Sequence, residues 1–269
     1  YLATGNDESL KTAISLYHVL EEKGREPQYD GYVESFTENW KKLERYDNNA
    51  PNTMNAHLHV LEAYTLLYQC WKDNGLKKRL EFCVDLFMNR IYDPSRKHFN
   101  LFFDNEWNSL VEMDSYGHDV ETGWLLCEAA RTLENQDLIE QTNQLALDVT
   151  EACLAEGMSD KGYMIYEKKG DRKTKHASWW GQIETVIACV NAWQISGSDV
   201  YLQSVDTVWT FVKDHMVDKE YGEWYSDCFD GEPKKEAPKV SMWRCPYHTV
   251  RLGVEMYNRL KYYVGRNCE

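Results

Sequence analysis

Apolar residues recur at helical spacing along most of the chain, in eight stretches separated mainly by glycine, asparagine or aspartate. Recurrence every three or four residues is typical of helices with one buried face, and the separating residue types begin and end helices. The pattern predicts helices over residues 7–22, 53–72, 76–91, 118–133, 136–155, 178–195, 199–212 and 247–263. No stretch resembles a buried strand of a parallel sheet, so the chain is predicted to be all-α.

Four short aromatic segments interrupt this pattern and predict β-hairpins in the loops. They cover residues 32–40, 99–107, 163–169 and 223–229. The helices after them are predicted to open at His59, His118, Trp179–Trp180 and His248, which are 59, 61 and 69 residues apart. This spacing indicates an internal repeat of hairpin, inner helix, turn and outer helix. Stacked helical pairs predict a solenoid or a closed α/α ring, and we expect one domain over residues 1–269.

The composition excludes two classes of partner. The net charge of −14 argues against nucleic acid, because binding to phosphates requires clustered lysine and arginine. No apolar run reaches the length that crosses a bilayer, so we expect no membrane partner. Solubility is the simplest explanation of the acidity, and the charge also suits a neutral ligand such as a sugar. We expect a monomer or a weak homodimer.

Eight cysteines raise the question of a disulfide framework. Most of them lie inside predicted helices at irregular spacing, where a free cysteine behaves as a small apolar residue. No Cys-x-x-Cys pair is present, which argues against a zinc or redox site. The chain begins at Tyr1 without an initiating methionine or a signal-peptide pattern, so we expect a processed or truncated piece. Together these features predict a reducing, cytoplasmic setting.

Two helices carry the same pair of side chains near their beginnings. His59 and Glu62 are three residues apart, as are His118 and Glu121, so each pair shares one helix face. A carboxylate beside a histidine can orient the ring for proton transfer. Surface ion pairs are the alternative. A di-iron site is disfavoured because its Glu-x-x-His order is reversed here, and we expect no metal and no cofactor.

Three tryptophans lie where predicted loops meet helices, namely Trp179, Trp180 and Trp243. A flat ring at such a position can stack on a sugar, although core packing is the alternative. Trp40 and Trp107 close predicted hairpins and are interpreted as structural. Cys245 and His248 lie close in sequence, but the proline between them makes a Cys–His nucleophile a weak interpretation.

Four motifs resemble the N-acylglucosamine 2-epimerase family, in particular its branch acting on cellobiose. They are residues 53–64, Tyr116-Gly-His-Asp-Val-Glu121, Trp179-Trp-Gly-Gln-Ile-Glu184 and Trp243-Arg-Cys-Pro-Tyr-His248. The resemblance implies an (α/α)6 barrel with short hairpins on the pocket side, of which this chain would be the C-terminal two-thirds, without the N-terminal helices. Thr249 and Val250 depart from the Asn-Gly that often follows the last histidine in that branch.

The resemblance also implies a reaction and a set of roles. The reaction would be metal-free epimerisation at C2 of the reducing-end glucose of cellobiose or related β-1,4-linked disaccharides, through a cis-enediolate. His118 and His248 would be the acid–base pair, and His59 would assist ring opening with Asn55 beside it. Glu121 and Glu184 would orient the histidines, while Trp179, Trp180 and Trp243 would form the sugar platform.

Three other functions stay open at this point. An N-acylglucosamine 2-epimerase or a mannose isomerase would belong to the same family. A glycoside hydrolase or lyase on a similar helical ring would use a carboxylate pair, with Asp119 and Glu184 as candidates. A sugar-binding protein without catalysis, or an inactive fragment, is the third.

Overall fold

The computed structural model describes residues 1–26, 28–43 and 50–264, with side chains to Tyr263. Eight α-helices lie within these residues: α1 Asp7–Val19, α2 Met54–Cys70, α3 Asn74–Leu86, α4 Tyr116–Leu133, α5 Gln136–Gly157, α6 Trp179–Ser196, α7 Val200–Phe211 and α8 Tyr247–Val264. Each corresponds to one predicted helix, and the prediction of an all-α chain is confirmed. The second helix begins at Met54, within one residue of the start of its predicted range 53–72, whereas the expectation that it opens at His59 was wrong, because His59 lies five residues inside it.

Three helices continue into a wider π-helical turn, which explains why their predicted ends lay beyond the α-helical ones. These turns are Leu20–Gly24 after α1, Phe87–Ile91 after α3 and Val212–Met216 after α7. α6 instead ends at Gly197, whose left-handed backbone (φ 73°) suits glycine.

Within the described residues, twelve strands of two or three residues lie in the loops. They are β1 Arg25–Glu26, β2 Gly31–Tyr32, β3 Asn52–Thr53, β4 Tyr92–Asp93, β5 His98–Phe99, β6 Phe102–Phe103, β7 Met113–Ser115, β8 Glu167–Lys169, β9 Arg172–Lys173, β10 His176–Ser178, β11 Asp227–Phe229 and β12 Glu232–Pro233. Five of them, β2, β5, β6, β8 and β11, overlap the predicted aromatic segments. β1 pairs with β2, β3 with β6 and β4 with β5, and two three-stranded sheets have the orders β7-β8-β9 and β10-β11-β12.

The loops repeat one local conformation, which supports the internal repeat. Isolated antiparallel bridges join Phe36 to Lys42, Phe103 to Ser109 and Met158 to Met164. The fifth residue of each closed segment has a left-handed backbone: Trp40 (φ 59°), Trp107 (φ 67°) and Gly162 (φ 86°). Trp40 and Trp107 therefore close turns, as their interpretation as structural residues requires.

The residue contacts group into two units, Tyr1–Met113 with Leu125–Thr142, and Asp114–Trp124 with Asn143–Glu269. In the first unit α2 packs against α1 and α3. Its core includes the fully buried Leu58, Leu61, Leu76 and Leu80. The expectation of a single domain over residues 1–269 stays a prediction.

The second unit has α6 as its central helix, packed against α7 and α8. Every residue from Gly181 to Ala192 is buried, so this helix is covered on all sides, as an inner helix is. Cys189, Ala192 and Tyr201 form a small buried cluster where α6 meets α7. Among the described helices of the chain, none is long and apolar enough to cross a membrane.

One buried histidine of the first unit has a purely structural environment. His57 is fully buried, with its Nδ1 2.8 Å from the Thr53 carbonyl and its Nε2 2.9 Å from the Tyr32 amide. A carbonyl accepts and an amide donates, so the ring is neutral with its proton on Nδ1. Burial lowers the pKa of His57 from 6.5 to about 4.

This depressed pKa predicts a loss of stability in mild acid. Above pH 6.5 the His57 ring is neutral in both the folded and the unfolded protein. Between pH 6.5 and 4 the unfolded chain binds a proton on this ring that the folded chain excludes. The free energy of unfolding should fall by roughly 3 kcal/mol across this window from His57 alone. His57→Gln retains a donor and an acceptor but does not titrate, so urea unfolding should show a smaller loss between pH 7 and 4.5. The exposed His18→Gln is the control, and equal acid sensitivity of wild type and His57→Gln would contradict the assignment.

Candidate active site

Junctions between a short strand and a helix position the candidate residues of the second unit. β7 leads directly into α4, and β10 leads into α6. The Oγ of Ser178 caps α6 by accepting from the Gly181 amide at 3.2 Å, which fixes Trp179 and Trp180 as the first two helical residues. His118 is the third residue of α4, and His248 is the second residue of α8.

The Trp180 indole contacts both predicted acid–base histidines. Its ring centroid is 4.6 Å from that of His118 and 5.6 Å from that of His248. The His248 ring lies nearly parallel to the indole, at an interplanar angle of 29°. All three side chains are partly exposed, so a ligand has access to them.

Gly117 allows the close approach of Trp180 to α4. A Cβ at this position would lie 2.7 and 2.8 Å from the Trp180 ring atoms Cζ3 and Cη2, and 3.2 Å from the Gly181 Cα. The two distances to the indole are shorter than real Cβ atoms show, and the third is tighter than most Cβ contacts. The glycine before His118 is therefore required for the indole to reach this histidine.

His248 is held by a buried carboxylate. Its Nδ1 lies 2.7 Å from Glu184 Oε1, and Glu184 is fully buried. An ionised carboxylate only accepts, so Nδ1 carries a proton. The remaining nitrogen, Nε2, is then the atom that can accept or release a proton, which is the arrangement a general acid–base histidine needs.

Arg251 lies one helical turn after His248 and joins two carboxylates. Its Nη1 donates to Glu184 Oε1 at 3.0 Å and also to Glu121 Oε1. The other oxygen of Glu184 accepts from the Trp124 indole N–H at 2.9 Å. The guanidinium also lies over the Tyr247 ring, 4.3 Å from its centroid. Every charged group of this cluster has a partner of opposite charge, as burial requires.

His118 has a neutral partner. Its Nδ1 lies 2.8 Å from Ser115 Oγ, a hydroxyl that can donate or accept. Glu121, expected from its spacing to orient His118, is in contact with Arg251.

The other predicted residues have different environments. In the first unit His59 is exposed, with its Nδ1 3.2 Å from Glu62 Oε2 as their spacing predicts, and Asn55 is half-buried. In the second unit Trp179 contacts His248 at 6.2 Å between ring centroids, whereas Trp243 is 82% exposed.

The structure also shows the environment of two residues from the alternative interpretations, Asp119 for a hydrolase and Cys245 for a thiol nucleophile. Asp119, a candidate for the carboxylate pair of a hydrolase, is fully buried beside the Cys153 thiol, whose pKa is raised by burial and then by Asp119. Such a group does not face a ligand. Cys245, the candidate thiol nucleophile, is exposed.

A cation can be considered at the carboxylates of the second unit. Glu121, Glu184 and His248 each offer one ligand atom within 4.8 Å of the others. The Arg251 guanidinium already donates to both carboxylates and supplies the positive charge there. A divalent cation would have to displace it, so these residues fit an ion-pair cluster better than a metal site.

Three residues of this site were not singled out from the sequence. Ser115, Trp124 and Arg251 lie three positions from His118, Glu121 and His248, respectively. On a helix this spacing places two side chains on one face, and that was the available signal. It does not by itself identify the partner on another helix.

Comparison with known proteins gives relatives over nearly the whole chain. The family model of the N-acylglucosamine 2-epimerases matches residues 1–251. The chain is 38% identical over 264 residues to a cellobiose 2-epimerase of Bacteroides fragilis, covering 94% of this chain and 67% of that protein. It is 35% identical over 266 residues to a cellobiose 2-epimerase of Dictyoglomus turgidum, covering 97% of this chain and 68% of that protein.

Comparison with solved structures also gives a cellobiose 2-epimerase. The cellobiose 2-epimerase of Bacillus thermoamylovorans superposes with a TM-score of 0.92 at 34% identity, covering 96% of this chain and 68% of that one. The likeness confirms the predicted α/α-barrel fold class. The chain belongs to the N-acylglucosamine 2-epimerase family.

Proposed function

We propose that this chain epimerises the reducing-end glucose of cellobiose, or of a related β-1,4-linked disaccharide, to mannose at C2. The observation that carries the proposal is the contact of one indole, that of Trp180, with the rings of both His118 and His248. Relatives at 35–38% identity are cellobiose 2-epimerases, which supports the substrate.

The chemistry requires two proton-transfer groups on opposite faces of one carbon. In the ring-opened sugar the C1 aldehyde acidifies the C2 proton. A neutral imidazole removes this proton to give a cis-enediolate, and an imidazolium returns a proton to the other face. His118 and His248 are the two groups, because imidazole exchanges protons near neutral pH. Trp180 provides a flat apolar surface against which a sugar ring can stack.

The surrounding residues have supporting roles in this proposal. Glu184 fixes the orientation of His248 through Nδ1, and Ser115 does the same for His118. Trp179 extends the aromatic surface beside His248. The roles of His59, Asn55 and Trp243 stay predictions from the resemblance.

Neither a metal nor an organic cofactor enters this mechanism, since the aldehyde itself activates C2. We therefore expect turnover to continue in the presence of EDTA. The cysteines of the described residues are free thiols, and burial raises the pKa of Cys83 and Cys189 to about 12. Unreactive buried thiols are consistent with the proposed cytoplasmic location.

Proton NMR of cellobiose in D2O tests the proposal. The purified protein should produce mannose-type anomeric signals and incorporate deuterium at C2. His118→Asn and His248→Asn should each lower the rate by roughly 10²–10⁴-fold, because each removes a proton-transfer group. His215→Asn, at an exposed histidine outside the site, is the control.

Other products would contradict the proposal in distinct ways. Release of free glucose would indicate a hydrolase. An unchanged disaccharide with turnover of mannose or N-acetylglucosamine would assign one of the other activities of the family. Binding without turnover, unaffected by either histidine variant, would indicate a sugar-binding protein.

Gly117→Ala should lower the epimerisation rate by at least tenfold, because the new methyl group displaces the Trp180 indole. The matched control is Gly253→Ala on α8, where a Cβ would meet nothing within 4 Å. Alanine in a helix is favoured over glycine by up to about 1 kcal/mol, so this control should be as stable as wild type or more stable. Equal activity of the two variants would show that the indole position is unimportant.

A further inference from the structure

Three charged side chains are buried directly behind His248. Glu121 is 1% exposed, Glu184 0% and Arg251 8%. They come from three different helices, α4, α6 and α8. Burying two carboxylates and a guanidinium is expensive, and one carboxylate fewer would still leave a salt bridge. The presence of Glu121 in this cluster therefore calls for an explanation beyond pairing Arg251.

We propose that Glu121 is a positioning residue for His248, acting through Arg251 and Glu184. This inference rests on the proposed function only in taking His248 as a proton-transferring group. It differs from the role expected from the His118–Glu121 spacing, since it connects Glu121 to the histidine of another helix.

The first step of the argument is geometric. Glu121 and Glu184 both accept from the same nitrogen of Arg251, so the two carboxylates together fix the position of this nitrogen. Packing of the guanidinium over the Tyr247 and Trp124 rings, 4.3 and 5.3 Å from their centroids, restricts it further. A fixed guanidinium together with the Trp124 indole fixes both oxygens of Glu184.

The second step concerns charge. With a neutral His248 the cluster of Glu121, Glu184 and Arg251 carries one net negative charge, and protonation of His248 brings it to zero. Removing Glu121 leaves the cluster neutral before protonation, which disfavours the imidazolium. Removing Arg251 leaves two negative charges, which favour the imidazolium form of His248. The two changes therefore have opposite effects on the proton affinity of the His248 ring.

Other groups around His248 complete its electrostatic surroundings. Tyr247 precedes it on α8, with its ring centroid 4.7 Å away. Arg244 lies over the Trp179 ring, and His118 lies against Trp180. These groups are the same in wild type and in the variants below, so the difference between variants isolates Glu121 and Arg251.

NMR titration of the protein with histidine labelled with ¹³C at Cε1 tests the inference without requiring turnover. The His248 signal is assigned by its loss in His248→Asn. In Glu121→Gln, which has nearly the same shape as wild type, the pH midpoint of this signal should fall by about one unit. In Arg251→Gln it should rise by a similar amount, and the pH dependence of kcat should move in the same directions.

Two further variants act as controls. Glu255→Gln removes another α8 carboxylate, one that pairs with Arg259 at 2.9 Å, and should leave the His248 midpoint unchanged. Glu121→Asp retains the charge and should restore most of the wild-type midpoint. If Arg251→Gln fails to fold, Glu121→Gln against Glu121→Asp still decides the question.

The outcomes separate the two proposals. Unchanged His248 midpoints in Glu121→Gln, or shifts in the same direction for Glu121→Gln and Arg251→Gln, would overturn the inference even in an active epimerase. Opposite shifts in a protein without epimerase activity would support the inference and overturn the proposed function.

Discussion

The contact of one guanidinium with two buried carboxylates is the interaction on which the arrangement of the candidate site depends. Without Arg251, Glu121 and Glu184 would be two buried negative charges with no guanidinium between them. Arg251 Nη1 holds Glu184 Oε1, the same oxygen that lies against His248 Nδ1. Arg251, itself almost completely buried, therefore supports the contact that leaves His248 Nε2 for chemistry.

The beginnings of the inner helices provide the second constraint. A short strand before α4 and another before α6 fix where each helix begins, and they bring chemical groups into the first turn. Trp180 then approaches α4 closely because residue 117 has no side chain. The Gly-His pair is thus one structural element, since the glycine makes room for the indole that the histidine contacts.

The fold was predictable from the sequence because its signals are local. Helical periodicity and the residues that begin and end helices predicted all eight described helices, and aromatic segments bounded by Asp or Gly marked one strand or more in each of four loop regions. Helix ends are less well predicted than helices, as in α2, which begins at Met54 close to the predicted residue 53 and contains His59 in its interior. The π-helical turns after α1, α3 and α7 also have no simple sequence pattern.

The candidate site was predictable only in part, for a related reason. Spacing along a helix determines which side chains share a face, and it identified His118 with Glu121 as well as His59 with Glu62. It does not determine which group on a neighbouring helix meets that face. His59 lies on an exposed face, so its local partner Glu62 is within reach. Glu121 lies on a buried face, where its carboxylate meets a guanidinium 130 residues away in sequence. A full opposite charge stabilises a buried carboxylate, and spacing along α4 could not identify that partner on α8.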